Sequence, residues 1–324
     1  MSTPLRVVVA DKMAPVGLEL LARTPGIEVV NCAGKPREEL ERALERAHAL
    51  IVRSETRVTA DLMKRAPLLR VIARAGIGVD TIDVTAATRR GIAVMNAPGA
   101  NTVSAAEHAM GLLLALVRHI PWAADSMRRG EWDRKKYEGT ELRGKTMGIV
   151  GLGRIGGHVA GIARAFGMTV VAHDPYLTPE RGAELQVKIL PLAELLAVAD
   201  VVTLHVALTD QTRHLINAER LAQMKPSAIL VNTARGELVD EVALAQAITG
   251  KQIAGAAVDV FAQEPLPADS PLRKLDRVIL TPHLAASTAE AQDRVSQEIS
   301  VTVRDALLEG DLSTAVNVPG IGGD

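Results

Sequence analysis

Three side chains of this chain could together perform acid–base chemistry on a small oxygenated substrate. Arg235, Glu264 and His283 each follow an apolar run that is typical of a buried strand. In open α/β sheets, ligands bind beyond the carboxyl ends of the strands. An imidazole accepts a proton near neutral pH, a carboxylate orients it, and a guanidinium holds carboxylate and carbonyl oxygens. We therefore predict that these residues form the catalytic set for hydride chemistry at a carbinol carbon.

A glycine pattern indicates the second reactant of this chemistry. Gly151, Gly153 and Gly156 follow the apolar run 147–150 and open a helical stretch, so they occupy a strand-to-helix turn. The first glycine permits the turn, the second lets a pyrophosphate approach the backbone, and the third lets helix pack on strand. The N–H groups of the first helical turn then face the anion. The pattern predicts a dinucleotide-binding site.

Asp174 indicates which dinucleotide binds. It ends the next apolar run, eighteen residues beyond Gly156. Its carboxylate can accept hydrogen bonds from a ribose diol and would repel a 2′-phosphate, so NAD is favoured over NADP. His205 also ends a predicted strand and is the best alternative to His283 as the proton acceptor. We interpret His205 as structure beside the cofactor.

Composition excludes several classes of function. The 37 basic and 38 acidic side chains nearly cancel, so no general attraction to nucleic acid or an anionic membrane is expected. The single cysteine, Cys32, cannot form an internal disulfide and fits a reducing compartment. No apolar run is long enough to span a bilayer, and no metal-ligand spacing occurs. We expect a cytoplasmic protein that acts on a small molecule without a metal.

The 324 residues fit two domains. Apolar runs alternate with helical patterns in two series, which predicts an α/β protein with two doubly wound parallel-sheet domains. One is a Rossmann domain for the dinucleotide, and the other is smaller and flavodoxin-like. The predicted strands are 5–10, 27–30, 49–52, 70–73 and 92–95 in the first series and 147–150, 169–172, 200–204, 229–232, 256–260 and 278–281 in the second.

Two helical segments and one loop complete this prediction. Residues 101–120 are helical in composition, and Leu112, Leu113 and Leu116 would bury one face. Residues 122–137 hold both tryptophans and a basic run, and we interpret them as a solvated loop. The last helical stretch, 288–308, is expected to fold back on the first domain.

Longer stretches of this sequence resemble the D-2-hydroxyacid dehydrogenase family, and within it the D-3-phosphoglycerate dehydrogenases. The resemblance covers nearly the whole chain. The stretches that carry it are 52–56, 73–80, 96–98, 104–108, 132–137, 139–142, 231–240, 258–261 and 285–288. Two departures are visible: Val206-Ala207 stands where the family usually has a proline, and Leu284-Ala285-Ala286 replaces the commoner Leu-Gly-Ala. Both affect loops on the cofactor side.

The resemblance implies roles for individual residues. It implies Arg235, Glu264 and His283 as the catalytic set, and a discontinuous substrate domain of residues 1–98 and 287–324 around an NAD domain of residues 99–286. The implied NAD-binding residues are Gly151, Gly153, Arg154, Ile155, Gly156, Asp174, Val206, Thr233, Ala234, Arg235, Asp259, His283 and Ala286. The implied substrate-binding residues are Arg53, Ser54, Arg74, Gly76, Ile77, Arg134, Arg235 and His283.

The substrate choice depends on arginines. Arg53, Arg74 and Arg134 match positions that resemble phosphate-binding arginines, and a dianionic phosphate needs such bidentate donors. The first hypothesis is therefore NAD-dependent oxidation of 3-phospho-D-glycerate to 3-phosphooxypyruvate, the first step of serine biosynthesis. A reductase of glyoxylate, hydroxypyruvate or another 2-oxo acid is the second. An NAD-binding regulator of the same fold, without catalysis, is the third.

The sequence also predicts assembly and regulation. A homodimer is expected through the helix 101–120 and the arm that carries Trp122 and Trp132, because large aromatic side chains suit an interface. The resemblance suggests that Arg134 reaches the neighbouring subunit's site. Residues 319–323 are typical of a flexible end. Since no residues follow Asp324 to form a regulatory site, we expect L-serine to leave the rate unchanged.

Overall fold

The computed structural model describes residues 3–317, so the predicted flexible tail at 319–323 lies outside the described residues. Contacts divide the chain into two compact units. Residues 3–101 and 288–317 form the terminal unit, and Thr102–Ser287 form the central unit. The chain thus leaves the terminal unit after residue 101 and returns to it at residue 288, where the sequence placed these boundaries after residues 98 and 286.

Strands and helices alternate along both units. The strands are β1 (Leu5–Val9), β2 (Ile27–Asn31), β3 (Ala49–Val52), β4 (Val71–Arg74), β5 (Ala93–Asn96), β6 (Thr146–Val150), β7 (Thr169–His173), β8 (Lys188–Ile189), β9 (Val201–Leu204), β10 (Ile229–Asn232), β11 (Gly255–Val258) and β12 (Val278–Leu280). The helices are α1 (Pro15–Ala22), α2 (Arg37–Leu44), α3 (Ala60–Lys64), α4 (Val84–Arg89), α5 (Thr102–Val117), α6 (Ile120–Arg128), α7 (Arg154–Ala165), α8 (Pro179–Glu184), α9 (Leu192–Val198), α10 (Ala218–Ala222), α11 (Glu241–Thr249) and α12 (Ala289–Leu308).

The terminal unit has a five-stranded parallel sheet in the order β2-β1-β3-β4-β5. This is the flavodoxin-like order, so the prediction for this domain is confirmed. The strand β3 is buried along its whole length, as expected when helices cover both faces of a parallel sheet. The last helix, α12, packs on α1 so closely that a Cβ on Gly17 would stand 2.2 Å from the carbonyl oxygen of Ser296.

The central unit has a seven-stranded parallel sheet in the order β12-β11-β10-β9-β6-β7-β8. The strand order reverses between β6 and β9, which is the Rossmann arrangement and confirms the predicted fold class. Helix α5 covers one face, and Leu112, Leu113 and Leu116 are buried there as predicted. The two-residue strand β8 was not predicted, because it is too short to show an apolar run.

Residues 122–137 differ from the prediction of a loop. Helix α6 occupies Ile120–Arg128, and only the remainder of this segment is loop and turn. Pro121 fits the first turn of a helix, where its missing N–H is not needed, so the segment can start a helix directly after α5. Trp122 packs partly buried against the core, whereas Trp132 is 77% exposed.

Within residues 3–317, no single helix has both the length and the apolar composition to cross a membrane. Only α5 and α6 taken together, bent by 61°, reach that composition.

Candidate functional site

The predicted dinucleotide turn lies at the point where the strand order of the central sheet reverses. Gly151 follows β6 with φ +94°, and a Cβ there would stand 2.7 Å from the carbonyl oxygen of His205. A Cβ on Gly156 would stand 2.1 Å from the carbonyl oxygen of Gly151. Gly153, directly before α7, has open space beside it. The turn therefore requires glycine at two positions and leaves the third open to a pyrophosphate.

Asp174 lies beside this turn. One carboxylate oxygen accepts a hydrogen bond from the N–H of Leu152 at 2.9 Å, and the other accepts one from the N–H of Tyr176 at 3.0 Å. An ionised carboxylate offers about four acceptor positions, so both oxygens can still accept a ribose hydroxyl. The side chain is half-buried, and its place next to Leu152 puts it within the predicted cofactor site.

Further predicted cofactor residues lie around the same crevice. Arg154 and Ile155 begin α7, and Val206 contacts the position where a Cβ of Gly151 would lie. Thr233 follows β10, and its buried hydroxyl has no hydrogen-bond partner within residues 3–317. A buried hydroxyl without a partner is costly, and a bound ligand can supply one. These residues fit a dinucleotide.

His283 and Glu264 form a hydrogen-bonded pair. The Nδ1 of His283 lies 2.8 Å from Oε2 of Glu264, and the other carboxylate oxygen accepts the N–H of Phe261 at 3.0 Å. Burial would raise the pKa of Glu264, but the hydrogen bonds from His283 and Phe261 outweigh it and lower that pKa. Because the carboxylate stays ionised and accepts from Nδ1–H, Nε2 of His283 is the atom that can exchange a proton with a substrate.

The backbone of His283 holds an uncommon conformation. Its φ is +56°, in the left-handed region, and its N–H donates to the carbonyl oxygens of Asp259 at 2.8 Å and Thr281 at 3.0 Å. Non-glycine residues adopt such angles mainly where surrounding structure enforces them. The turn thus fixes the imidazole by its main chain as well as by Glu264.

Arg235 lies in the loop after β10, which packs on the loop that carries Glu264. Its guanidinium donates to the carbonyl oxygen of Ala234, and its own carbonyl accepts from Nδ2 of Asn232 at 2.8 Å. A Cβ on Gly236 would stand 1.9 Å from the carbonyl carbon of Phe261. The structure therefore places Arg235, Glu264 and His283 on three loops that follow the neighbouring strands β10, β11 and β12. The roles of Asn232 and Gly236 were not predicted, although both belong to the motif that contains Arg235.

Asp259 was predicted to contact the cofactor. The structure buries its side chain completely, and the carboxylate accepts hydrogen bonds from the N–H groups of Leu284 and Ala285. It also accepts from the hydroxyl of Thr281 and contacts His108, a residue to which the sequence assigned no role. Asp259 thus holds the loop that bears His283 and the predicted cofactor residue Ala286. A direct contact to the cofactor stays a prediction.

The pKa of His205 differs from that of an ordinary imidazole. Its Nε2 lies 2.9 Å from the hydroxyl of Thr203, and burial lowers its pKa to about 4. An imidazole that is so weakly basic is a poor proton acceptor at neutral pH. The assignment of His205 as structure beside the glycine turn is consistent with this environment.

In the terminal unit, the loop after β3 carries Arg53 and Ser54. The buried carboxylate of Asp11, just beyond β1, accepts the N–H of Arg53 at 2.5 Å and the hydroxyl of Thr56 at 2.5 Å. The guanidinium of Arg53 donates to the carbonyl oxygen of Lys12 at 3.1 Å. The strand order of this sheet reverses between β1 and β3, where flavodoxin-like folds bind ligands. The role of Asp11 was not predicted.

Arg74, Gly76 and Ile77 lie at the carboxyl end of the neighbouring strand. Arg74 ends β4, and its guanidinium donates to the carbonyl oxygen of Ala75 at 2.7 Å. A Cβ on Gly76, whose φ is +151°, would stand 2.7 Å from that guanidinium. Asn96 donates to the carbonyl oxygen of Ile77 at 2.6 Å. These three predicted substrate residues therefore share one edge of the terminal sheet with Arg53 and Ser54.

Two other features belong to the central unit. Arg134 is exposed in the turn 134–137 of the central unit, so its predicted role toward a second subunit stays a prediction. A cavity of about 190 Å³ opens at the amino-terminal ends of the central strands, beside Lys145, Asp200 and Arg277. Ligands of open α/β sheets bind at the opposite, carboxyl ends, so this cavity is not part of the candidate site.

Known proteins resemble this chain in both sequence and fold. A family model for the NAD binding domain of D-isomer specific 2-hydroxyacid dehydrogenases matches residues 110–285. The D-3-phosphoglycerate dehydrogenase of Mycobacterium bovis is 51% identical over 320 residues, which is 99% of this chain and 60% of that protein. This chain spans 57–60% of the length of several such curated relatives.

Two solved structures show the same architecture. The TT0316 protein from Thermus thermophilus has a TM-score of 0.87 at 40% identity, over 97% of this chain and 100% of that one. A D-lactate dehydrogenase from Aquifex aeolicus, complexed with NAD and lactic acid, has a TM-score of 0.83 at 29% identity, over 98% of this chain and 100% of that one.

Proposed function

The chain belongs to the D-isomer specific 2-hydroxyacid dehydrogenase family, and from this premise we propose that it oxidises 3-phospho-D-glycerate to 3-phosphooxypyruvate. Its NAD-binding domain identifies NAD as the cofactor. The observation that carries the proposal is the 2.8 Å contact between His283 and Glu264, next to the loop of Arg235. The name of its curated relatives supports the choice of substrate.

Each catalytic residue has one role in this reaction. When bound, NAD would supply the acceptor for the hydride that leaves C2 of the substrate. His283 takes the hydroxyl proton on Nε2, and Glu264 stabilises the resulting imidazolium through Nδ1. Arg235 holds the substrate carboxylate and the reacting oxygen, because its planar fork matches two oxygens at once.

The cofactor is held by the glycine turn and the strand ends around it. The first N–H groups of helix α7 would bind the pyrophosphate, and Asp174 would accept hydrogen bonds from the ribose hydroxyls. Arg154, Ile155, Val206, Thr233, Ala234, Asp259 and Ala286 complete the proposed cofactor set.

The proposed phosphate site uses arginines. Arg53 and Arg74 come from the carboxyl edge of the terminal sheet, together with Ser54, Gly76 and Ile77. Guanidinium groups bind phosphate bidentately, so they distinguish a phosphorylated 2-hydroxy acid from a smaller one such as glycolate. This reaction would open serine biosynthesis.

The decisive experiment compares substrates. NADH oxidation by the purified chain is measured with 3-phosphooxypyruvate, hydroxypyruvate and glyoxylate under the same conditions. We expect kcat/KM for the phosphorylated substrate to exceed the others at least about tenfold, which corresponds to ~1.4 kcal/mol of discrimination. Preference for glyoxylate would indicate a small 2-oxo acid reductase, and no turnover with any 2-oxo acid would indicate a regulator.

We also propose a cytoplasmic homodimer, with the arm of Trp122 and Trp132 at the interface and Arg134 directed to the partner's site. The exposed indole of Trp132 supports an interface, since large aromatic side chains are seldom left in water.

Two experiments test this assembly. Light scattering measures the mass of the protein in solution. Mixing inactive His283→Gln and Arg134→Ala chains tests the sharing of sites, because hybrid dimers would then recover one complete site. An active monomer, or no recovery after subunit exchange, would contradict the proposal.

A further inference from the structure

Helix α5 directs two polar side chains at the loop that carries His283. Ser104, only 4% exposed, donates its hydroxyl to the carbonyl oxygen of Ala285 at 2.7 Å. One turn later, Nε2 of His108 lies 3.1 Å from Oδ1 of Asp259 and 3.3 Å from the hydroxyl of Thr281. Residues four apart share one helix face, so α5 contacts this loop along one polar stripe.

Asp259 contacts His108 and also forms hydrogen bonds with residues on both sides of His283. Its carboxylate accepts the N–H of Leu284 at 2.8 Å and that of Ala285 at 2.9 Å, and it accepts the hydroxyl of Thr281. Its carbonyl oxygen accepts the N–H of His283 itself at 2.8 Å. One buried aspartate therefore binds residues before, at and after His283.

A fully buried carboxylate requires donors for its charge. Burial would raise the pKa of Asp259, and hydrogen bonds from His108, Leu284 and Thr281 lower it instead. Within residues 3–317, three of the four donors to this carboxylate belong to the loop 281–285, and the fourth, His108, reaches it from helix α5. Removal of the His108 donor would leave the loop to satisfy the charge alone, by shifting toward it.

We propose that His108 is a positioning residue, which acts through Asp259 to keep His283 in hydrogen-bond distance of Glu264. The inference rests on the proposed function, since it concerns the same proton transfer. A displacement of about 1 Å of a catalytic group can cost on the order of 10²-fold in rate. A small shift of the loop that bears His283 is therefore enough to lower kcat.

The experiment uses a pair of variants in the full chain. His108→Phe keeps a ring and removes the donor, whereas the amide of His108→Gln can donate from nearly the same position. His48→Phe is the matched control, because Nδ1 of His48 accepts the N–H of Arg6 within the terminal unit, whereas the loops of the candidate site belong to the central unit. Each variant is measured for kcat, KM, NADH affinity and melting temperature.

We expect His108→Phe to lower kcat about tenfold or more with NADH affinity within about twofold, and His108→Gln to restore most of kcat. His48→Phe should change melting temperature without changing kcat. The proposal is overturned if His108→Phe keeps the wild-type kcat, or if a folded His108→Gln loses as much as His108→Phe. If His108→Phe does not fold, His108→Asn replaces it, since the shorter amide does not reach Asp259.

A spectroscopic readout separates this inference from the proposed function. The Nδ1–H of His283 that donates to Glu264 should give a downfield proton resonance, identified by its absence from His283→Gln. We expect this resonance to weaken or disappear in His108→Phe and to persist in His108→Gln, whatever the substrate. An unchanged resonance in His108→Phe overturns the positioning role, whereas a wild-type chain without dehydrogenase activity overturns only the proposed function.

Discussion

Gly236 stands directly against the peptide bond that follows Phe261, so that a Cβ on Gly236 would lie 1.9 Å from the carbonyl carbon of Phe261. The N–H of Phe261 in turn donates to Glu264, and Arg235 precedes Gly236 in the chain. Two loops from neighbouring strands are thus packed backbone on backbone. This close approach holds the loop of Arg235 against the loop of Glu264.

Gly236→Ala should separate these loops. Because the added methyl meets backbone atoms, which cannot rotate away, we expect kcat/KM to fall at least tenfold and the free energy of unfolding to fall by ~1–3 kcal/mol. Gly161→Ala, in α7 with open space around it, is the control and should leave the protein as stable or slightly more so. Equal activity of the two variants would show that the close approach has no catalytic role.

His283→Gln should lose about 10²-fold or more in kcat, because acid–base groups typically contribute that much. NADH binding, measured by fluorescence, should remain, since the glycine turn and Asp174 are untouched. A variant that binds NADH and turns over at the wild-type rate would assign the proton transfer to another residue.

Cofactor choice should depend on the charge of Asp174. We expect the wild-type chain to prefer NADH over NADPH at least about tenfold in kcat/KM. Asp174→Asn retains an oxygen for the N–H of Leu152 but loses the charge that repels a 2′-phosphate, so the preference should fall. Steady-state kinetics with both cofactors check this, and an unchanged ratio would place the selectivity elsewhere.

Arg53→Ala should lower kcat/KM for 3-phosphooxypyruvate far more than kcat/KM for glyoxylate, because only the former substrate carries a phosphate. Arg57→Ala, an exposed arginine four residues later in the same part of the chain, is the matched control and should affect neither substrate. The measurement is kcat/KM for each substrate. An equal loss of kcat/KM for both substrates in Arg53→Ala would mean that Arg53 supports the loop and does not bind the phosphate.

The pKa of His205 predicts a pH dependence of stability. Its folded value of about 4 lies below the ordinary value of 6.5, so the unfolded chain binds more protons between these values. The associated stability is present above about pH 6.5 and is lost as pH falls toward 4. His205→Gln should flatten this part of the profile, measured as the urea midpoint at pH 7 and pH 4.5. Parallel profiles for the two proteins would refute the assignment.

The sequence predicted those parts of the fold whose physical cause lies within a few consecutive residues. Apolar runs such as Ala49–Val52 are buried on both faces, so they are visible as continuous hydrophobic segments. The glycine turn was predictable because its backbone requirements lie within six residues. Helix α6 was missed because its mixed composition resembles a solvated loop, and only Pro121 and the alanines after it favour a helix.

The contacts that position the site were not predictable in the same way. His108 meets Asp259 across 151 residues of sequence, and Asp11 meets Arg53 across 42. An aspartate after a strand shows no periodicity that would name its partner. Such pairings follow from the strand order of each sheet, which sequence patterns constrain only through the fold class.

The aspartates at strand ends also set a rule for redesign of this scaffold. Asp11, Asp174 and Asp259 each follow one strand and bind the backbone of a loop that follows the adjacent strand. A loop grafted from another protein therefore has to bring N–H groups to the same places, or bring its own strand end with it. A graft over residues 53–56 that displaces Thr56 would leave Asp11 with fewer donors, at a cost of ~1–3 kcal/mol for each buried group left unsatisfied. The natural unit of exchange in this protein is thus a pair of neighbouring loops.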